Sequence, residues 1–232
     1  MPDRPADAAL SSADGTPDAA LSCADGTPDA VLFDMDGTLV DTEGLWWQAA
    51  ASVARSLGRA LTAADAPHVT GRTVGDTAAY LVDGVSGASG GTSAEGVAGA
   101  LTEAFAERVR TGLTVVPGAP ELLAELAAAG VPTALVTASP RSIAELVLPR
   151  LGHAFDLVIA DEDTVRGKPH PDPYLEAARR LRVAPARCVA VEDSPAGVAA
   201  ATAAGCRVLV VDPAHGLARV RAGLRGAPPH GG

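Results

Sequence analysis

Short apolar runs alternate with helical patterns along the chain from residue 30 onward. Unbroken apolar runs of this length are typical of strands in a parallel sheet that is covered on both faces. The segments between them carry apolar residues at helical spacing, and several end at glycine, as helices commonly do. This alternation predicts the α/β fold class. The runs are residues 30–33 (AVLF), 133–136 (TALV), 157–160 (LVIA), 188–191 (CVAV) and 208–211 (VLVV).

Residues 41–117 depart from this alternation, because they contain no strand-like run of comparable quality. Apolar residues recur every four positions over 45–57, which predicts an amphipathic helix. Further helices are predicted at about 73–82 and 95–109, joined by a Gly/Ser-rich loop. We therefore predict a small helical insertion over the sheet. The predicted organisation is a core of residues 28–43 and 117–222, a helical insertion of residues 44–116, a disordered arm of residues 1–27 and a disordered tail of residues 223–232.

The triplet Asp-Gly-Thr recurs within the first 38 residues at a spacing of eleven residues. Only the copy at Asp36 continues an apolar run, whereas the earlier copies lie in Ala/Ser/Asp-rich sequence that offers little to bury. Ser12 and Cys23 stand in those copies where Asp34 stands in the last one. The earlier copies therefore indicate a local duplication without catalytic function.

The composition of the chain argues against some classes of binding partner. The chain has 28 acidic and 18 basic residues and a formal net charge of −10. Binding to nucleic acid or to an anionic membrane depends on clustered Lys and Arg, so this balance argues against both partners. Three cysteines without metal-ligand spacing suggest buried thiols in a reducing cytoplasm. Because neither an apolar run near the ~20 residues of a membrane span nor a signal-peptide pattern is seen, we expect a cytoplasmic protein, with monomer as the default.

Chemically active side chains follow most of the runs, at the point where each predicted strand ends. Ligands of parallel α/β sheets bind beyond the carboxyl ends of the strands, so these side chains are expected to meet at one edge. This clustering of groups that are distant in sequence is the strongest indication of function in the chain. The groups are Asp34 and Asp36 after the first run, Thr137-Ala138-Ser139 after the second, Asp161 and then Lys168 after the third, and Glu192 with Asp193 after the fourth.

The pairing of Asp34 with Asp36 suggests phosphoryl transfer. Asp34 would attack phosphorus to form an aspartyl-phosphate, and Asp36 would protonate the leaving oxygen and then activate water. Carboxylates repel a phosphate dianion, so a hard cation is needed, and Mg²⁺ held by Asp34 and Asp193 meets that need. Thr137 would donate its hydroxyl to a phosphate oxygen. Lys168 would neutralise developing charge and fix the nucleophile.

Lys168 is the only lysine in the chain, since every other residue among the 18 Lys and Arg is arginine. An ammonium is a compact point charge, whereas a guanidinium is a planar fork. A chain that otherwise uses arginine throughout indicates that this position needs the ammonium. A functional role is therefore favoured over a solvated surface charge.

Four stretches of sequence together span about residues 31–212. They are VLFDMDGTLVDTE, PGAPELLAELAAAGVPTALVTASP, RGKPHPDPYLEAARRL and VAVEDSPAGVAAATAAG. In content and order they resemble the haloacid dehalogenase superfamily, in its phosphatase branch with a helical cap inserted after the first strand. The resemblance implies a Rossmann-like parallel-sheet core with an inserted α-helical cap.

The resemblance also implies roles for single residues. Glu192 resembles the second acid of the branch that includes β-phosphoglucomutase, where it assists through the metal shell; a surface acid is the alternative. Gly71-Arg72-Thr73 resembles a substrate loop of that branch, with a plain surface arginine as the alternative. The other implied roles are catalysis by Asp34 and Asp36, phosphate binding by Thr137, Ala138 and Lys168, and metal binding by Asp34, Asp193 and the backbone carbonyl of Asp36.

The favoured interpretation is a Mg²⁺-dependent phosphatase of a small phosphorylated metabolite, with sugar phosphates as the first expectation by resemblance. A phosphomutase would use the same Asp34 and pass the phosphoryl group to a sugar instead of water. A dehalogenase, which resembles this fold, is disfavoured by Asp36 and Asp193. A catalytically dead binding module is disfavoured because the required side chains are all present. The alternative for Thr137 is a helix-terminal position with Ser139 as the cap.

Overall fold

The computed structural model of the protein describes residues 28–83, 93–211 and 216–224. The predicted arm of residues 1–27 lies outside this part of the chain, as do most of the Gly/Ser-rich loop and most of the predicted tail. Within the described residues the strands are β1 (Ala30–Phe33), β2 (Val40–Asp41), β3 (Thr114–Val115), β4 (Thr133–Val136), β5 (Leu157–Ile159), β6 (Cys188–Glu192) and β7 (Arg207–Val210).

One parallel sheet organises the described part of the chain. Its strands lie side by side in the order β5-β4-β1-β6-β7, so β1 is central. The chain adds β4 and β5 on one side of β1 before it adds β6 and β7 on the other. Ligands of α/β sheets bind where the strand order reverses in this way, outside the carboxyl ends of the strands. The predicted α/β fold class is confirmed.

The predicted and observed strands agree closely. β1 and β4 have the predicted bounds, and each of the other sheet strands differs by one residue at one or both ends. The prediction missed β2 and β3, which pair antiparallel with Val40 opposite Val115. Strands of two residues are too short to show an apolar run, and only the return of the chain brings them together.

Helices cover both faces of the sheet. Among the described residues they are α1 (Glu43–Ser56), α2 (Ala66–Val69), α3 (Val74–Asp83), α4 (Ala94–Gly112), α5 (Ala119–Ala128), α6 (Arg141–Leu151), α7 (Asp172–Leu181), α8 (Pro195–Ala203) and α9 (Ala218–Leu224). Side chains of β1 alternate between two apolar clusters, with Val31 and Phe33 in one and Ala30 and Leu32 in the other. Burial on both faces explains why the sequence of β1 is apolar without interruption.

Helices α1 to α4 lie between β2 and β3 and make up the helical insertion. The helices predicted at 73–82 and 95–109 correspond to α3 and α4. Trp46 of α1 meets Phe105 of α4 edge to face, with ring centres 5.3 Å apart. The bounds of a separate cap domain remain a prediction.

The structure corrects two details of the predicted helices. Helix α6 begins at Arg141 with Pro140 at its N-cap and no side-chain cap, so the alternative that made Ser139 the cap is wrong. Helix α9 continues through Leu224, which is buried, so the first two residues of the predicted tail are helical. Among the described helices, none is both long enough and apolar enough to cross a bilayer.

Candidate active site

The carboxyl ends of β1, β4 and β6 lie at one cavity of about 370 Å³. Asp34, Lys168 and Asp193 line it from the sheet, and Arg72 and Trp46 line it from the helical insertion. The structure thus brings together side chains that are distant in sequence. The remaining lining residues are Asp36, Gly37, Thr42, Glu43, Thr70, Gly71, Thr73, Val74, Phe105, Ala138, Ser139, Ser194, Pro195 and Ala196.

Three strand ends hold the ammonium of Lys168. Its Nζ donates to Oδ1 of Asp34 after β1 at 2.6 Å, to the carbonyl of Val136 in β4 at 2.9 Å, and to Oε1 of Glu192 in β6 at 2.5 Å. An ammonium has three N–H donors, so all of them are used. Burial alone would lower the pKa of Lys168, but the charges of Asp34 and Glu192 raise it well above its ordinary value. The side chain is therefore charged and fixed against Asp34.

Asp34 has one carboxylate oxygen paired and one free. Oδ1 accepts from Lys168, whereas the buried Oδ2 has no hydrogen-bond partner among the described residues. Burial raises the pKa of Asp34 well above its ordinary value, while Lys168 opposes that rise and the neighbouring carboxylates add to it. Buried polar atoms are nearly always satisfied, so an exception at a cavity needs an explanation. This oxygen keeps its lone pairs for a metal or an electrophile.

Asp34, Glu192 and Asp193 form a carboxylate cluster in which one oxygen from each residue lies within 4.8 Å of the other two. Burial raises the pKa of Asp193 to about 6, with repulsion from Glu192 adding to the rise, although the Thr38 hydroxyl donates to its Oδ1 at 3.1 Å. Gly37 has φ +89°, and a Cβ there would lie 2.1 Å from Oδ2 of Asp193. Carboxylate oxygens suit a hard divalent cation, which would also relieve the repulsion. The residues present therefore fit a divalent metal.

Three hydroxyls donate to the carboxylate of Asp36. Thr42 reaches Oδ1 at 2.7 Å, and Ser139 and Thr137 reach Oδ2 at 2.8 Å and 3.3 Å. Thr42 precedes α1 and Ser139 follows β4, so the acid is held from the helical insertion and from the sheet together. The sequence analysis missed Thr42 and assigned no site role to Ser139. Both positions lie within recognisable motifs, but only the folded chain aims them at this acid.

The other predicted phosphate and substrate residues lie around the same cavity. Ala138 lines it, and the Thr137 hydroxyl accepts from the backbone N–H of Ser139 at 2.9 Å. Arg72 is exposed, and its Nε donates to the carbonyl of Pro67 at 3.0 Å. That bond ties the guanidinium to the insertion side of the cavity, opposite the sheet.

Glu192 is fully buried, so the alternative of a surface acid is wrong. Its Oε1 accepts from Lys168 and from the hydroxyl of Tyr174 at 2.7 Å, and its Oε2 accepts from the backbone N–H and hydroxyl of Ser194 at 3.3 Å and 3.0 Å. A Cβ at Gly197 would lie 1.7 Å from Oε1, so only glycine leaves room for this carboxylate. The sequence analysis missed Tyr174, which is eighteen residues from Glu192 in the chain.

Known sequences resemble this chain over most of its described residues. A family model described as haloacid dehalogenase-like hydrolase matches residues 28–205. Hexitol phosphatase A of Escherichia coli (strain K12) is 44% identical over 102 residues, which are 44% of this chain and 47% of that protein. The match thus spans about half the length of that curated relative.

Solved structures cover more of the chain. CbbY from Rhodobacter sphaeroides, in complex with phosphate, has a TM-score of 0.73 and 31% identity over 80% of this chain and 86% of its own. A putative beta-phosphoglucomutase from Thermotoga maritima has a TM-score of 0.61 and 31% identity over 79% and 85%. With the family match over most of the described residues, the chain belongs to the haloacid dehalogenase-like hydrolases.

Proposed function

We propose that this protein is a phosphatase that hydrolyses a small phosphate monoester through phosphorylation of Asp34. The carrying observation is the carboxylate of Asp34, with Oδ1 fixed by Lys168 and the buried Oδ2 left without a donor beside the cavity. A fixed, desolvated oxygen with free lone pairs has the properties of a nucleophile. The names of two relatives support the proposal, since one is a hexitol phosphatase and the other was solved with phosphate.

The reaction divides into two proton-balanced steps. In the first, Oδ2 of Asp34 bonds to phosphorus, the bond from phosphorus to the leaving oxygen breaks, and protonated Asp36 gives that oxygen its proton. In the second, Asp36 takes a proton from water, and the water oxygen attacks phosphorus and releases Asp34 with inorganic phosphate. The hydroxyls of Thr42 and Ser139 would hold the Asp36 carboxyl for both transfers.

We assign Mg²⁺ to the carboxylate cluster, with Asp34, Asp193 and the backbone carbonyl of Asp36 as its protein ligands. Bound there, the ion would supply the positive charge that lets a phosphate dianion approach carboxylates. Glu192 belongs to the cluster, but both of its oxygens already accept hydrogen bonds. We therefore assign Glu192 to holding Lys168 and not to direct contact with the ion.

Lys168, Thr137 and Ala138 are assigned to the phosphate. All N–H donors of Lys168 are used by the protein, so its contribution is mainly the charge that it places beside the reacting oxygens. Thr137 and Ala138 follow β4 directly, next to the hydroxyls on Asp36. Electrostatic stabilisation and positioning are the main contributions that a protein makes to phosphoryl transfer.

The cavity supports a small metabolite as the substrate, with sugar phosphates as the first choice. Its volume of about 370 Å³ lies at the lower end of small-molecule sites. We propose that residues 44–116 act as a cap that closes over the phosphate and sets specificity. Arg72, on that side of the cavity, is placed to grip a second polar or anionic group of the substrate.

Phosphomutase is the second candidate, supported by the likeness to a putative beta-phosphoglucomutase. The two reactions share the phosphorylated Asp34 and differ in the acceptor, which is water in one and a sugar hydroxyl in the other. Incubation with hexose phosphates separates them, because a phosphatase releases inorganic phosphate and a mutase yields an isomeric sugar phosphate.

The deciding experiment measures phosphate release by the purified full chain with Mg²⁺ from a panel of sugar phosphates, hexitol phosphates, phosphoglycolate and an aryl phosphate. We expect turnover of at least one compound, loss of turnover on chelation, and recovery when Mg²⁺ is restored. Asp34→Asn is the negative control. If neither phosphate nor an isomer forms from any compound, the proposal fails and a binding function takes its place.

A further inference from the structure

Tyr174 lies on α7 beneath the site and has no part in the reaction described above. It is fully buried, and its hydroxyl donates to Oε1 of Glu192 at 2.7 Å. The Nζ of Lys168 lies 5.3 Å from the centre of its ring, close enough for a cation–π contact. Tyr174 therefore touches both groups that stand behind the nucleophile, without itself lining the cavity.

Hydrogen bonds occupy both oxygens of the Glu192 carboxylate. Oε1 accepts from Lys168 and Tyr174, and Oε2 accepts twice from Ser194, so each oxygen has two donors. A carboxylate offers about four acceptor positions, and none is left over. The absence of a Cβ at Gly197 lets the group sit against α8. The position of Glu192 is thus determined by its contacts, of which the Tyr174 hydroxyl is one.

The acceptors of Lys168 are not equally well anchored. The carbonyl of Val136 belongs to the backbone of β4, and Asp34 follows β1 directly on a short side chain. Glu192 has one more rotatable bond, so its carboxylate needs outside contacts to stay in one place. The lysine side chain is itself a flexible four-carbon stem. The position of the Lys168 ammonium on Asp34 therefore depends on the contacts that hold Glu192 in place.

We propose that Tyr174 is a positioning residue for phosphoryl transfer: its hydroxyl fixes Oε1 of Glu192 and thereby holds the Lys168 ammonium on Oδ1 of Asp34. The inference rests on the proposed function for its kinetic consequence but not for its structural one. Phenylalanine would fill the same volume, and a buried hydroxyl costs free energy unless it is bonded. The bond to Glu192 gives this hydroxyl a reason to be there.

The sequence offers a direct readout, because Lys168 is the only lysine. The metal-free protein, labelled with ¹⁵N-lysine and carrying no lysine-containing tag, gives one side-chain ammonium signal. An ammonium held by three acceptors exchanges its protons slowly with water, so we expect a resolved signal in the wild type. Tyr174→Phe should broaden or abolish that signal. With Mg²⁺ and substrate, its kcat should fall about tenfold while KM changes less than about twofold.

Tyr80→Phe is the matched control, because Tyr80 is the only other tyrosine and its hydroxyl bonds Asp65 in the helical insertion. That variant should lower the melting temperature and leave the lysine signal unchanged. A double-mutant cycle adds a second test: in a Glu192→Gln background, Tyr174→Phe should have little further effect on kcat, since the hydroxyl acts through Glu192.

The outcomes separate the two proposals. If Tyr174→Phe folds, melts lower, and keeps both the wild-type lysine signal and kcat, the hydroxyl is merely structural and the inference is overturned. An additive effect in the Glu192→Gln background overturns it as well. If the wild type turns over no phosphate ester while the lysine signal responds as expected, the positioning role stands and the proposed function fails.

Discussion

Asp65 and Asp34 are both buried carboxylates that pair with a cationic side chain near a tyrosine. They differ in whether both of their oxygens accept a hydrogen bond. In the helical insertion, Oδ1 of Asp65 accepts from Arg59 at 2.6 Å and Tyr80 at 2.5 Å, and Oδ2 accepts from the backbone N–H and hydroxyl of Thr62 at 2.7 Å and 2.9 Å. These bonds, that of Tyr80 first, lower the pKa of Asp65. At the sheet edge, burial raises the pKa of Asp34, and its Oδ2 has no donor among the described residues.

Under the proposed function, the difference separates a structural acid, Asp65, from a reactive one, Asp34. Asp65 belongs to a closed cluster, in which the Arg59 guanidinium lies 4.3 Å from the ring centre of Tyr80 and His68 stacks on that ring at 4.3 Å. Such a cluster ties the segment that follows α1 to α2 and α3. An acid that is held but not satisfied lowers stability and keeps its reactivity, as groups at active sites commonly do.

Changing each acid to its amide is the most direct way to break this comparison. Asp34→Asn should lower kcat at least about a thousandfold, because an amide is a poor nucleophile. Its melting temperature should change less than that of Asp65→Asn, because loss of the pairing with Lys168 is offset by removal of a desolvated charge. Asp65→Asn should keep kcat within about threefold and melt at a lower temperature. The comparison is wrong if phosphate release falls more in Asp65→Asn than in Asp34→Asn, and calorimetry gives Asp34→Asn the lower melting temperature.

A methyl group placed against Glu192 should give the next largest effect. In Gly197→Ala the Cβ would lie 1.7 Å from Oε1, so the carboxylate must leave Lys168, and kcat should fall at least about tenfold. Gly99→Ala is the control, because Gly99 is exposed in α4 with nothing within 4 Å of the new Cβ. It should keep wild-type kcat and gain about 0.5–1 kcal/mol of stability. Equal kcat values in the two variants would contradict the role of Glu192.

The indole of Trp46 tests how the helical insertion shapes the cavity. Its Nε1 donates to the buried carbonyl of Val69 at 2.8 Å, directly before the cavity residues Thr70 and Gly71. Trp46→Phe removes this donor and leaves the carbonyl only the longer bond from the backbone N–H of Arg72 at 3.4 Å, so KM should rise about threefold to tenfold with a smaller change in kcat. Trp47→Phe, at the adjacent position outside the cavity lining, should leave KM unchanged. Steady-state kinetics of the two variants decide the point.

The smallest expected effect concerns acid unfolding, which tests whether the charge of Asp65 stabilises the fold. The pKa of Asp65 is lowered from 3.8, so its contribution to stability is present above pH 3.8 and is lost as pH falls through that value towards the folded-state pKa. The wild-type melting temperature should therefore fall more steeply below about pH 4 than that of Asp65→Asn, and the curves should converge. Melting curves at a series of pH values measure this. Parallel curves would show that Asp65 is not charge-stabilised.

Much of the fold was predictable because its signals are local. The runs AVLF and TALV predicted the observed bounds of β1 and β4, and the positions directly after β1, β4 and β6 indicated Asp34, Thr137 and Asp193 as candidate site residues. Even the cap of the Asp65 segment is local, since Thr62 and Asp65 form a capping box three residues apart. Local patterns did not reveal the pairing of β2 with β3, or the hydroxyls of Thr42 and Ser139 on Asp36.

The sequence by itself determined the parallel sheet, the helical insertion and which acids stand at the strand ends, because periodicity and chain order fix those features. The tertiary structure alone decided which oxygen of Asp34 is paired and which is free. Lys168 is 134 residues from Asp34, and the Tyr174 hydroxyl bonds a Glu192 carboxylate that is eighteen residues away. Such contacts depend on the exact approach of separate segments, and a carboxylate becomes reactive or inert according to the donors that this approach supplies.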